Sequence, residues 1–285
     1  MTEARIPEEI MAAIAAVRPL SASAKRLMET VNRPGHAASD VIDIVSADTG
    51  LTAAVLRTVN SAVYGLRDRI ETVNRAVSYL GDRSVVSLAI RICAGDLYQQ
   101  PLAGYHGEPG DLWQHCLHTA IAARAVAQHA RTPLDPDLAY TAGLLHDIGK
   151  AVLNAWLVTR SGDLVPPIDE RDPDFLDRER SVAGTDHPTI GAVVAHRWGL
   201  GRNLCYAIAF HHHPTMAPQA QQGLTYAVHL GDFLAMMGGH ATGADAMMYP
   251  LDSGYDQHFQ LDPLTIDRLM FASAQEYQRL AEALQ

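Results

Sequence analysis

Fourteen of the 285 residues are histidine, and the chemistry open to this chain depends on where they fall. In the second half His115, His146, Asp147, His187, His211, His212 and Asp232 stand at the ends of helical segments or inside segments that are otherwise apolar. Imidazole nitrogens and carboxylate oxygens are metal donors, and a metal site needs several of them converging from different elements. The tightest pair lies in "GLLHDIGK", residues 143–150. His146 and Asp147 follow "AGLL" and are expected on the buried side of a helix, where neighbours stand about 100° apart around the axis. Two such neighbours can reach one metal, or one of them can bridge two. A bare carboxylate is costly to bury unless it is paired or bound to a cation. Asp147 therefore calls for a partner: a metal, or Lys150 one turn on.

Each donor also has a plainer reading. His146 and Asp147 could be a hydrogen-bonded pair at a helix end, and His187 could simply cap its helix. His211, His212 and His213 could be a solvated helix terminus, where cations suit the dipole. Pro214 follows, so His213 is expected to be exposed. Asp232, in "HLGDFLAMM", is either a surface residue or a functional carboxylate in a helix interior. His118, His129, His196 and His229 are read as core-edge or surface positions, and His106, His240 and His258 as loop residues.

The elements that must position these donors are helical nearly throughout, with recurring start and stop signals. Ser21 precedes one helix, which stops at Pro34-Gly35, and Ser39 precedes the next. Thr72 precedes "VNRAVSYLG", where Val73, Ala76, Val77 and Leu80 share a face and Gly81 closes the helix. "QQPLAGYHGEPGD", residues 99–111, breaks the periodicity and is the best boundary, dividing the chain into 1–100 and 101–285 or joining them as one continuous unit. A long helix opens near Asp111. Asp135-Pro136 opens the next, which runs into "AYTAGLLHDIGK". Residues 160–174 read as a polar, proline-bearing loop. His187-Pro188 starts a helix that closes at Gly199. Two more helical stretches, a Gly-rich loop at 238–254 and an amphipathic helix from Pro263 complete the chain. No strand run is evident.

Hydrophobic residues make up 48% of the chain, enough for a real core, so a disordered chain is excluded. The net charge of -10 argues against binding to double-stranded DNA or anionic membranes, which requires clustered Lys and Arg. The three cysteines are far apart and form no CxxC pair, which argues against a Cys-based zinc site and fits a reducing, cytoplasmic setting. "MTEARIPEEI" is not built like a signal peptide, and no apolar stretch of about 18 residues is present to span a membrane.

The order His, His-Asp, His, His-His, Asp resembles the HD superfamily of metal-dependent phosphohydrolases, and more closely its HDOD branch. In the first half the resemblance rests on "RPLSASAKRLMETV" (18–31), "DTGLTAAVLRTVNSAVYG" (48–65) and "IETVNRAVSYLG" (70–81). In the second half it rests on "LWQHCLHTA", "AGLLHDIGK", "DHPTIGAVVAHRWGL" and "AIAFHHHP". It implies an all-α, two-lobed fold with an HD-type helical bundle in the second lobe, and a role in bacterial signal transduction.

Many HDOD proteins lack some metal ligands. Here His115, His146, Asp147, His187, His211, His212 and Asp232 each match a ligand position, and Asp111, one turn before His115, could add a carboxylate. The donor mix suits Fe, Mn, Zn or Ni, as one or two ions. "HHHPTMAPQ" lacks the glycine-tyrosine-proline segment of the HD-GYP phosphodiesterases, which weakens a cyclic-di-GMP assignment. "DTG" at 48–50 departs from the aspartate-proline more usual in the branch.

Two functions follow. The first is a regulatory protein whose first lobe meets a protein partner and whose second lobe binds metal as a structural or ligand-sensing element, with phosphate or a nucleotide as the ligand. On this reading Asn60, Ser61 and Tyr64 either fix the geometry between lobes or are ordinary capping and turn residues before Gly65. The second is a phosphohydrolase or phosphodiesterase with two metals about 3.5–4 Å apart. Asp147 would bridge the metals, and Lys150 would stabilise charge on phosphoryl oxygens.

Overall fold

The computed structural model describes residues 6–160 and 174–284, so the loop expected at 160–174 lies almost wholly outside the described residues. The first half folds as α1 (Glu8–Ala16), α2 (Ala22–Val31), α3 (Ala38–Ser46), α4 (Thr49–Val59), α5 (Val73–Leu80) and α6 (Asp82–Tyr98). The second half folds as α7 (Asp111–Ala127), α8 (Pro136–Leu145), α9 (Ile148–Thr159), α10 (Phe175–Ala183), α11 (His187–Arg197), α12 (Arg202–Phe210), α13 (Gln219–Met237) and α14 (Pro263–Leu284). Among the described residues β pairing is confined to two isolated bridges, and no helix is long and apolar enough to cross a membrane.

Local chemistry explains several helix starts. Ser21 Oγ accepts from the Ala24 amide at 3.1 Å, and Asp48 Oδ1 accepts from the Leu51 amide at 3.0 Å. Asp135 accepts from the amides of Asp137 and Leu138, with Pro136 in the first turn, and Asp186 accepts from Thr189 at the head of α11. Two expected starts differ in detail. α3 begins at Ala38 because Asp40, not Ser39, closes its first turn by accepting the Ala37 amide at 3.3 Å. Thr72 stands where expected before α5 but makes no side-chain cap.

One apolar cluster runs from Ile10 in α1 to Leu280 in α14 and takes in residues of both halves. Polar bonds tie the halves together as well. Ser87 and Tyr140 share a 2.6 Å hydrogen bond, and Tyr98 Oη donates to the Leu144 carbonyl at 2.7 Å, holding the end of α8. Asn60 does not reach across the lobes. Its amide nitrogen donates to the carbonyls of Leu56 (2.7 Å) and Ile70 (2.8 Å), and its oxygen accepts the Ile70 amide (2.8 Å), which clamps the base of the 61–69 loop. Tyr64 packs edge-on against Tyr79.

α8, α13 and α14 all pack on α7, while α9 packs on α11. Two glycines permit the close approaches. A Cβ at Gly143 would lie 2.6 Å from the Ala120 Cα, so α8 sits directly against the α7 backbone. A Cβ at Gly149 would collide with the His187 carbonyl, so the start of α9 sits against the start of α11.

Candidate metal centre

The donors come from five places on this frame. His115 lies one turn into α7, and Asp232 lies inside α13. His187 is the first residue of α11, and His211 and His212 follow the last turn of α12. His146 and Asp147, expected on the buried side of one helix, are buried but lie between two helices. They form the junction between α8 and α9, His146 ending the one and Asp147 preceding the other. The break has a physical reason: α8 lies along α7 and α9 lies along α11, and one straight helix cannot follow both.

Asp147 is the centre of the arrangement. Its Oδ2 lies 3.4 Å from His115 Nε2 and 3.5 Å from His146 Nε2, and its Oδ1 lies 3.2 Å from His187 Nε2 and 3.5 Å from His211 Nε2. Two groups of converging donors share it: His115, His146 and Asp147 on one side, and Asp147, His187, His211 and His212 on the other. Asp232 faces both groups, with Oδ1 at 3.1 Å from His115 Nε2 and Oδ2 at 3.7 Å from His212 Nδ1. All of these residues are buried.

Hydrogen bonds fix the imidazoles. Nδ1 of His115 donates to the His240 carbonyl (2.7 Å), that of His146 to the Gly143 carbonyl (2.8 Å) and that of His211 to the Ile208 carbonyl (2.8 Å). Nδ1 of His187 donates to Glu179 at 2.8 Å, and Glu179 also accepts the His187 amide at 2.7 Å. These partners assign the proton to Nδ1 in each ring and leave Nε2 as a lone-pair donor toward the centre.

The residues fit a divalent cation. Nε2 atoms face each other at 3.2 Å in both the His115–His146 and His187–His212 pairs, and two lone pairs at that distance repel unless a proton or metal lies between them. Metal–nitrogen bonds of about 2.0–2.1 Å place neighbouring donors roughly 3 Å apart, which matches this spacing. Both oxygens of Asp147, His211 Nε2 and His212 Nδ1 are buried without a well-aligned hydrogen bond among the described residues.

The electrostatics are those of a buried charge cluster. Burial opposes the charged form of Asp147, but His146, Lys150, His115 and His187 outweigh it and hold the carboxyl well below its usual range. Asp232 is held low in the same way, by His115 and His146 against burial. Burial also opposes the charged form of His115, yet its bonds to Asp147 and Asp232 raise it to about 10. For His187, burial is outweighed by Glu179 and Asp147, to about 9. For His211 burial prevails, pushing it down to about 4.

Lys150 is buried rather than surface-exposed. Its Nζ lies 2.7 Å from Asp147 Oδ2 and 2.5 Å from Asp245 Oδ2, and donates to Thr242 Oγ1 at 2.9 Å. Tyr249 Oη donates to the same Asp245 oxygen at 2.8 Å, and the Tyr249 ring stacks on His212 with centroids 3.6 Å apart. Glu179, Thr242, Asp245 and Tyr249 were not marked by sequence reasoning. Glu179 sits in the polar run "DRERS", and the other three sit in the Gly-rich segment 238–254. No local signal singles them out.

The comparisons with known proteins bear on this geometry. The HDOD domain profile matches residues 17–214. The chain belongs to the HDOD family. A Treponema pallidum (strain Nichols) protein of uncharacterised role is 28% identical over 204 residues, 71% of this chain, and the match spans 39% of that relative's length. The crystal structure of an HDOD domain protein of unknown function from Geobacter sulfurreducens is 25% identical, with a TM-score of 0.70 over 96% of this chain and 95% of that one. A candidate signal transduction protein from Marinobacter aquaeolei VT8 shares the fold at 24% identity, with a TM-score of 0.74 over 98% of this chain and 65% of that one.

The HDOD match contains every candidate donor except Asp232, which lies beyond it together with Asp245. Asp111 is not drawn into either donor group. It is half-buried at the start of α7, and its Oδ2 accepts the Glu108 amide at 2.7 Å. His229 is buried rather than at the surface, donating from Nδ1 to the His211 carbonyl (2.7 Å) and accepting the Asp252 amide at Nε2 (3.0 Å). His118 is buried against the Tyr277 ring. His213 is half-buried, with Nε2 at 3.1 Å from Asp174 Oδ2. His196 and His106 are exposed, and His129, His240 and His258 are intermediate.

Proposed function

We propose that this HDOD protein is a regulatory component of bacterial signal transduction whose second lobe binds one or two transition-metal ions as a structural or sensing element. The observation that carries this reading is the convergence of buried histidines on Asp147 from two sides. Asp147 would serve both ions, since it belongs to both donor groups. His115, His146 and Asp232 would serve one of them, and His187, His211 and His212 the other. The ions when bound would supply positive charge to the cluster and add their binding free energy to folding. Glu179 and the carbonyls of Gly143, Ile208 and His240 orient the rings before any ion arrives.

Burial of every donor favours this role over hydrolysis. A catalytic metal needs an open coordination position. Lys150, the residue that would face phosphoryl oxygens, is engaged by Asp147 and Asp245. The phosphohydrolase reading keeps one supporting observation, the carboxylate shared between two donor groups. A protein partner at the first lobe, a phosphate or nucleotide ligand, absence of double-stranded DNA binding and a cytoplasmic setting belong to the same proposal. The free cysteines Cys93, Cys116 and Cys205 support the last of these.

Elemental analysis of protein purified without an affinity tag tests the site. About one to two transition-metal ions per chain, with no turnover of phosphomonoesters or cyclic dinucleotides, is the expected result. Turnover abolished by removing the metal would establish the hydrolase instead. No metal, and none taken up from added Mn or Fe, would reject the centre.

A further inference from the structure

The first lobe carries a cavity remote from the metal donors. It has a volume of about 850 Å³ and lies between α4 and the 61–69 loop. That is within the roughly 300–1,000 Å³ of small-molecule sites. Its lining is of two kinds. Ala53, Leu56 and Leu66 give it an apolar side, and the exposed Arg57, Arg67 and Arg69 complete a basic rim.

None of these three arginines has a hydrogen-bond or ion-pair partner among the described residues. Elsewhere Arg18, Arg33, Arg83, Arg124 and Arg180 are each paired with a carboxylate. Arg26, Arg75, Arg197 and Arg202 are also without a partner among the described residues, but here three such arginines share one lining. Ser61 also lines the cavity, and its Oγ is shielded from solvent without a hydrogen-bond partner. The loop bearing Arg67 and Arg69 has a fixed base, because Asn60 binds both strands of chain at 60 and 70.

We infer that this cavity is a binding site for a nucleotide. Arginine forks match phosphate oxygens two at a time, which accounts for the guanidinium groups. The Leu56 and Leu66 side would cover the base. Among the described residues Asp68 is the one carboxylate in the lining, and it can accept from a ribose hydroxyl or a base amino group. A bare phosphate would use neither the apolar side nor Asp68. The site is independent of the metal centre, and the two fail separately.

The test is a fluorescence titration of the full, metal-loaded chain with methylanthraniloyl derivatives of ATP and GTP, with inorganic triphosphate as competitor. Saturable binding of at least one probe is expected, displaced by triphosphate and weakened by salt. The double variant Arg67→Ala/Arg69→Ala should bind about tenfold or more weakly, with unchanged metal content and melting temperature. The Lys pair at the same positions should fall between, because it keeps the charge but loses the fork. Equal binding by wild type and the Ala pair would move the nucleotide elsewhere, the metal centre included, and overturn the proposal. So would failure of both probes to saturate below about 1 mM, or capture of a hexaglutamate peptide in their place.

Discussion

The two halves of the molecule bury different chemistry. Up to residue 100 the buried polar side chains among the described residues are Thr30, Thr58, Ser84 and Ser87, none of them charged. Ser84 and Ser87 bond to carbonyls one turn back in their own helix, at 2.9 and 3.0 Å. Beyond residue 110 the interior holds His115, His146, Asp147, Lys150, Glu179, His187, Asp232 and Asp245. Among the described residues the first half buries no charged side chain. The second half is held by apolar burial plus a charge balance, which a proton or a metal can shift.

The largest effect should come from Asp147→Ala. Removing the shared carboxylate takes one of two counter-charges from Lys150, His115 and His187 at once, a loss of about 3–5 kcal/mol. Most of the bound metal should go with it. Melting curves and elemental analysis check this, and full metal content in the variant would refute the site assignment. Leu27→Ala, in the fully buried core of the first half, should cost about 2–5 kcal/mol through the cavity it leaves, with metal per folded chain unchanged. If metal is lost there too, the contrast between the halves does not hold.

Glu179→Gln sharpens the contrast within the second half. The fold should survive, while metal affinity falls about 10–100-fold because His187 loses the carboxylate that orients it. A competition titration with a metal-chelating dye reads the difference. The smallest effect belongs to His36, whose Nε2 lies 2.7 Å from Asp82 Oδ2. The bond to Asp82 raises its pKa in the folded state above 6.5. Its contribution is therefore full below about pH 6.5 and is lost as pH rises through the higher folded value. His36→Ala should cost about 1 kcal/mol or less at acidic pH, and the gap in urea midpoints from wild type should narrow as pH rises through the folded value. A gap that widens with pH would show that the pair is not an ion pair.

The helical class and the donor residues were legible because caps, periodicity and residue type are local features, and the HDOD resemblance rested on the motif stretches. Ser21, Asp135-Pro136 and His187-Pro188 act within one turn of where they stand, so the sequence marks them. Asp232 stood out as a carboxylate in an apolar helix, a position that demands a counter-charge. His146 and Asp147 were placed correctly in depth but wrongly in a helix. The break between α8 and α9 answers to two different neighbours, α7 and α11, that no local pattern reveals.

By itself the sequence determined the all-α class, several helix starts and the residues able to donate to a metal. Only the tertiary structure decided which of them meet and what holds them. It left Asp111 to the start of α7, and it gave Lys150 a second carboxylate, Asp245, 95 residues away. It set His115 with a carbonyl 125 residues away, and His187 with Glu179 across a helix boundary. The physical reason is range. Caps and periodicity act over a turn of chain, whereas these contacts exist only where helices approach closely, as α8 does on α7 at Gly143 and α9 on α11 at Gly149.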